Sequence, residues 1–124
     1  PAAAQVLRLP EDQGPGNALL LEIECEQLTL VFCAFGQAGV SAERVASQAL
    51  RQAEDWRSSG TSVEEHLADQ LLLPMALAGG GSFTTPALSD HLLSSRAVVE
   101  AFLPVRIECQ ARVAGGQHIR ITPA

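Results

Sequence analysis

The sequence predicts an α+β fold, with helices packed on one face of mixed or antiparallel sheets. Three observations lead there. Two segments suited to strands, an alternating one at 21–26 and an apolar one at 28–35, precede a helical pattern. Two more helical patterns follow around a short strand candidate. The chain then closes on an alternating segment, a Gly-Gly turn and a return strand. Strands followed by helices, in blocks and twice over, are the mark of layered helix-on-sheet architecture.

Leu21, Ile23 and Cys25 alternate with Glu22, Glu24 and Glu26. That period predicts a half-buried strand with the apolar members inward. Residues 28–35 are almost wholly apolar and predict a more central strand. Glu26 and Gln27 leave room only for a tight connection, so the two strands should be antiparallel neighbours. Residues 36–39 form a loop. Ser41 should cap the next helix, with Glu43 in its first turn. Val45, Ala49, Ala53 and Trp56 recur at helical spacing and predict its buried stripe. Ser58-Ser59-Gly60-Thr61 ends this unit, and the main domain boundary is expected there, giving residues 1–61 and 62–124.

Ser62 and Glu65 have the spacing of a capping box and predict the start of a second helix. Val63, Leu67, Leu71 and Met75 step by four and are its expected core stripe. His66, Asp69 and Gln70 share another face. Pro74 removes a backbone hydrogen bond and should kink or end the helix. Gly79-Gly80-Gly81-Ser82 follows a helix and lacks the Lys-Ser/Thr of a phosphate-binding loop, so it reads as a helix end and turn. Ser82 to Thr85 suits a short strand. A third helix is expected over residues 89–102, stopped by Pro104. Val105, Ile107, Cys109, Ala111 and Val113 then alternate with polar residues. Gly115-Gly116 turns the chain, and Ile119 and Ile121 continue on a return strand.

Composition narrows the function. The chain has 124 residues and 47% hydrophobic content, enough for a real core. A mean hydropathy of +0.15 argues against disorder. The net charge of −6 disfavours a stand-alone nucleic-acid binder with a basic face. No apolar run is long enough for a membrane span. Pro1-Ala2-Ala3-Ala4 lacks the basic start and long apolar core of a signal peptide. Cys25, Cys33 and Cys109 have no metal-type spacing and suit buried thiols in a reducing, cytoplasmic setting. No metal site is expected from the chain's own residues.

His91 is the sharpest candidate. It lies between Ser89-Asp90 and the apolar Leu92-Leu93, at an expected helix start. The positive end of the helix dipole there favours a neutral imidazole able to attack. The same helix end offers backbone N–H groups to a phosphate. That pairing suits nucleotidyl transfer. The chain contains no lysine, so a lysine nucleophile within it is excluded. A helix-start histidine can equally serve only its own turn. The His66-Asp69-Gln70 face can hold a ribose, a base edge or a hydrated metal, or simply be solvated. Asp12-Gln13-Gly14-Pro15-Gly16-Asn17 is dense in turn residues. His118, beside the Gly-Gly turn, receives no role.

Several segments together resemble the C-terminal part of the RNA 3′-terminal phosphate cyclase family. They are Leu9-Pro10-Glu11-Asp12-Gln13-Gly14-Pro15-Gly16-Asn17 and His66-Leu67-Ala68-Asp69-Gln70-Leu71-Leu72-Leu73-Pro74-Met75-Ala76-Leu77-Ala78-Gly79. His91-Leu92-Leu93 and Ala97-Val98-Val99-Glu100-Ala101-Phe102-Leu103-Pro104-Val105 follow in the family order. Together they cover nearly the whole chain, and it is the combination that is specific.

The resemblance implies a ligase that uses ATP to turn an RNA 3′-terminal phosphate into a 2′,3′-cyclic phosphodiester. By that resemblance His91 is the nucleophile that becomes adenylylated. His66, Leu67, Ala68, Asp69 and Gln70 match the nucleotide-binding segment. Family members often carry tyrosine where His66 stands. A divalent metal, magnesium or manganese, is implied as well. The resemblance also makes this chain a C-terminal portion, inactive without its N-terminal partner portion. Residues 1–61 would be the later half of a small inserted domain. Residues 62–124 would be the last unit of a large domain built from helix-on-sheet repeats. A non-catalytic relative acting in ribosome assembly is the alternative, and such relatives lack the nucleophilic histidine.

Overall fold

A computed structural model describes residues 4–13 and 16–124. The first three residues, and Gly14 and Pro15 of the expected turn, lie outside the described residues. The chain divides into two compact units, residues 1–51 and 52–124. The division falls inside the helix α1, Ala42–Ser59. The architecture is α+β, with two antiparallel sheets and three α-helices among the described residues.

In the first unit a single 3-10 turn, Glu11–Gln13, precedes β1, Ala18–Glu24, and β2, Thr29–Phe35. The strands pair antiparallel with Leu21 opposite Phe32, as the short connection predicts. Leu30, Phe32 and Ala34 alternate on the buried face of β2. Ala34 packs with Val45 and Ala49 of α1. Cys25 departs from its expected inward position. It lies beyond the end of β1, where its N–H donates to Leu28 in the turn, and it is exposed. Ser41 Oγ accepts from Arg44 N–H at the start of α1. The Glu43 carboxyl is held below its ordinary range by its own backbone N–H and by Ser41.

The second unit contains α2, Glu65–Leu77, and β3, Gly81–Thr85. It continues with α3, Asp90–Phe102, then β4, Val105–Ala111, and β5, Gln117–Pro123. The sheet order is β3-β5-β4, antiparallel throughout, so the last strand is central. Phe83, Ile107, Ile119 and Ile121 are buried on one face. Both helices pack on that face, with Ala68, Leu72 and Ala76 of α2 and Leu92 and Val99 of α3 buried. Burying this face contributes about 25 cal/mol per Å² of apolar surface removed from water, the main favourable term of the unit.

Three local expectations are corrected. The α2 core stripe is Ala68, Leu72 and Ala76, while Leu67, Leu71 and Met75 are half-buried beside it. Both sets step by four, and the small alanines let the helix backbone approach its neighbours closely. Pro74 does not end α2, which runs on to Leu77. Pro74 and Gln70 are exposed, so the carbonyl that loses its partner can face water. Val113 is fully exposed, because β4 ends at Ala111 and the chain has already entered its turn. In that turn Gly115 and Gly116 take φ of 91° and 75°, a region that side chains disfavour.

Candidate functional site

The expected capping box at Ser62 and Glu65 is replaced by a different arrangement. Ser62 N–H donates to Thr84 Oγ1 at 2.8 Å, and Thr84 N–H donates to Ser62 Oγ at 2.8 Å. Val63 N–H donates to the Thr84 carbonyl at 3.1 Å. The hydroxyl that would have capped α2 is therefore committed to β3. Glu64 caps the helix instead, its carboxylate accepting from His66 N–H at 2.7 Å and from Leu67 N–H. These bonds hold the start of α2 against the C-terminal end of β3. Buried Thr61 supports the same segment, donating to the Val63 carbonyl at 3.1 Å.

The chain leaves β3 at Thr85 and begins α3 at Asp90, after residues 86–89. Ser89 caps α3, its Oγ accepting from Leu92 N–H at 3.1 Å. Both helix starts thus gather at one end of the sheet. His66 and His91 are each the second residue of their helix. Both are exposed. Gln70 is exposed on the same line of α2 as His66, and Asp69 is half-buried. Ala68 is fully buried and Leu67 half-buried, so Ala68 offers a ligand only its backbone.

The electrostatics of this end are mixed. Two helix dipoles point their positive ends here. The first two N–H groups of a helix have no intrahelical acceptor, so α3 presents donors at Asp90 and His91. At α2 the Glu64 carboxylate already takes the His66 and Leu67 N–H groups. Arg112, in the β4–β5 turn, reaches the same end and donates to the Gly60 carbonyl at 3.4 Å. Sequence reading missed Glu64, Thr84 and Arg112 and gave Ser62 a different role. The Ser62, Thr84 and Arg112 bonds span 22 and 52 positions of chain, which no local pattern carries. Among the described residues, no group of three or more His, Cys, Asp or Glu side chains could hold a metal ion.

The exposed imidazole of His91 thus stands beside exposed backbone donors at a helix start, on a two-layer helix-on-sheet unit. The family model for RNA 3′-terminal phosphate cyclase matches residues 14–109. The RNA 3′-terminal phosphate cyclase of Pseudomonas aeruginosa is 68% identical over 116 residues, 94% of this chain and 34% of that protein. The protein of the same name from Pseudomonas fluorescens is 64% identical, covering 82% of this chain and 30% of its own length. The one from Salmonella enteritidis is 54% identical, covering 92% and 34%. The chain belongs to the RNA 3′-terminal phosphate cyclase family. It spans about a third of the length of the curated relatives it matches.

Proposed function

We propose that this chain is the C-terminal portion of an ATP-dependent RNA 3′-terminal phosphate cyclase and carries its nucleophile, His91. The observation that carries the reading is the gathering of His91 and the His66–Gln70 segment at one end of one sheet, through the Ser62–Thr84 bonds. In this reading an imidazole nitrogen of His91 attacks the α-phosphorus of ATP. The N–P bond forms as the bond to pyrophosphate breaks. An oxygen of the RNA 3′-phosphate then takes the AMP and releases the histidine. Attack by the neighbouring 2′-hydroxyl on the activated phosphorus closes the ring and expels AMP. Three easier displacements thereby replace one difficult step.

His66 and Gln70 present a flat ring and an amide to the adenosine portion, and Asp69 a carboxylate to a hydroxyl. A histidine ring stacks with less area than the tyrosine that relatives often carry. A bound divalent metal offsets phosphate charge. The described donors of this chain do not group to hold one, and no step is assigned to it.

In the same reading residues 1–61 are the later half of the inserted domain and residues 62–124 the last repeat. The N-terminal portion then covers the apolar side chains that α2 and α3 leave exposed, such as Leu77 at 68% and Phe102 at 84%. A cytoplasmic location suits the three free thiols. No helix of the described residues is long and apolar enough to cross a membrane.

The test is incubation of the complete protein with α-labelled ATP. An acid-labile, hydroxylamine-sensitive protein–AMP bond is expected, followed by cyclisation of a 3′-phosphorylated RNA. A folded protein that forms no such bond overturns the reading in favour of a non-catalytic relative.

A further inference from the structure

On the face of the β3-β5-β4 sheet opposite the helices, Arg106, Glu108, Gln110 and Arg120 are exposed and His118 is half-buried. Strand alternation places Arg106, Glu108, Gln110, His118 and Arg120 on it, because their neighbours Ile107, Ile119 and Ile121 are buried on the other side. His118 stands opposite Thr84, at the end of the sheet where His91 lies. Arg120 is one row further along, opposite Ser82 and Glu108. Arg106 is a row beyond, opposite Thr122. With Arg112 at the turn, the donors form a line that starts beside the candidate site and runs away from it. Successive rows are about 6.8 Å apart.

In a chain of net charge −6, this face carries one carboxylate, Glu108. Arg106 and Arg120 are exposed, and among the described residues neither takes part in an ion pair; the Arg96–Glu100 pair lies on α3. Exposed guanidiniums that outnumber the one carboxylate on a polar sheet face are suited to phosphate oxygens.

We propose that this sheet face carries the single-stranded RNA backbone on the 5′ side of the reacting end, with Arg120 and Arg106 holding successive phosphates. The proposal rests on the cyclase reading for the identity of the RNA. It adds that substrate length is sensed on a surface away from the chemistry.

The experiment uses the complete protein with two RNAs, a 3′-phosphorylated strand of about twenty nucleotides and a 3′-phosphorylated dinucleotide. In the Arg106→Ala/Arg120→Ala double variant, KM for the long RNA should rise about tenfold. The slope of log affinity against log salt should become shallower by about 1.4, the value for two lost phosphate contacts on a single strand. Adenylylation by ATP alone and KM for the dinucleotide should not change. The Arg106→Lys/Arg120→Lys variant should keep most of the long-RNA affinity and the salt slope. Wild-type affinity and slope in the alanine variant would overturn the proposal and leave the face to some other partner. Equal losses on both RNAs would overturn it too. A wild-type protein that binds the long RNA with the expected slope but neither adenylylates nor cyclises would overturn the cyclase reading alone.

Discussion

Ser62 and Thr84 exchange two backbone-to-hydroxyl bonds, each 2.8 Å long, across 22 positions of chain. The Ser62 hydroxyl also donates to the Thr84 carbonyl at 3.1 Å. Neither residue reaches a reacting atom in our reading. Together they fix where α2 begins relative to β3, and so relative to His91 just downstream.

Removing either side chain should therefore loosen the site and the fold together. Ser62→Ala and Thr84→Val should each lower the stability of the complete protein by about 1 kcal/mol. The double variant should cost less than the two single costs added, since the two residues share their bonds. Denaturant titration of the four proteins checks this, and full additivity would show that the two side chains act independently.

His91→Ala and His91→Asn should abolish AMP attachment. The side chain is exposed at a helix start, so the stability change should stay within about 1 kcal/mol. Transfer of label from ATP, read beside thermal unfolding, separates the two effects. An AMP adduct that persists in either variant removes His91 as the nucleophile.

Within the nucleotide segment, neighbouring residues should behave in opposite ways. Asp69→Ala and Gln70→Ala should weaken ATP use at limiting ATP while changing stability little. Ala68→Leu should do the reverse and destabilise by about 1–3 kcal/mol, because Ala68 is fully buried and has no room to grow. Normal adenylylation by both the Asp69 and Gln70 variants would show that this face is not a nucleotide site.

The 124-residue chain by itself should be inactive on RNA and prone to associate. Leu73, Leu77, Val98 and Phe102 are exposed on its helices, and Leu20, Val31 and Phe35 on its two-stranded sheet. The outer edge of β1 has no partner strand among the described residues. Gel filtration and a cyclisation assay, with and without the N-terminal portion supplied in trans, test this. A monomer that unfolds cooperatively and cyclises RNA alone would contradict it.

Much of the layered fold was legible in the chain. The Leu21–Ile23 alternation, the 28–35 run, the Ser41 cap, the helix start near residue 89 and the Ile119–Ile121 return strand are local patterns, and local patterns follow backbone periodicity. The α2 stripe was misread because two sets of residues step by four, and periodicity alone cannot say which one faces the sheet. Cys25 and Val113 were misplaced because alternation continues in the sequence past the residues where pairing stops.

By itself the sequence determined the identity of the strands and helices, the position of His91 at a helix start and the family to which the chain belongs. Each of these is carried by residues close together or by their order. Only the tertiary structure decided that β5 is the central strand, that Glu64 and not Ser62 caps α2, and that His66, His91 and His118 gather at one end of one sheet. Those outcomes depend on hydrogen bonds between residues far apart in the chain. Such bonds are set by the packing that buries the apolar faces, because the remaining polar groups must find partners in the places that packing leaves them.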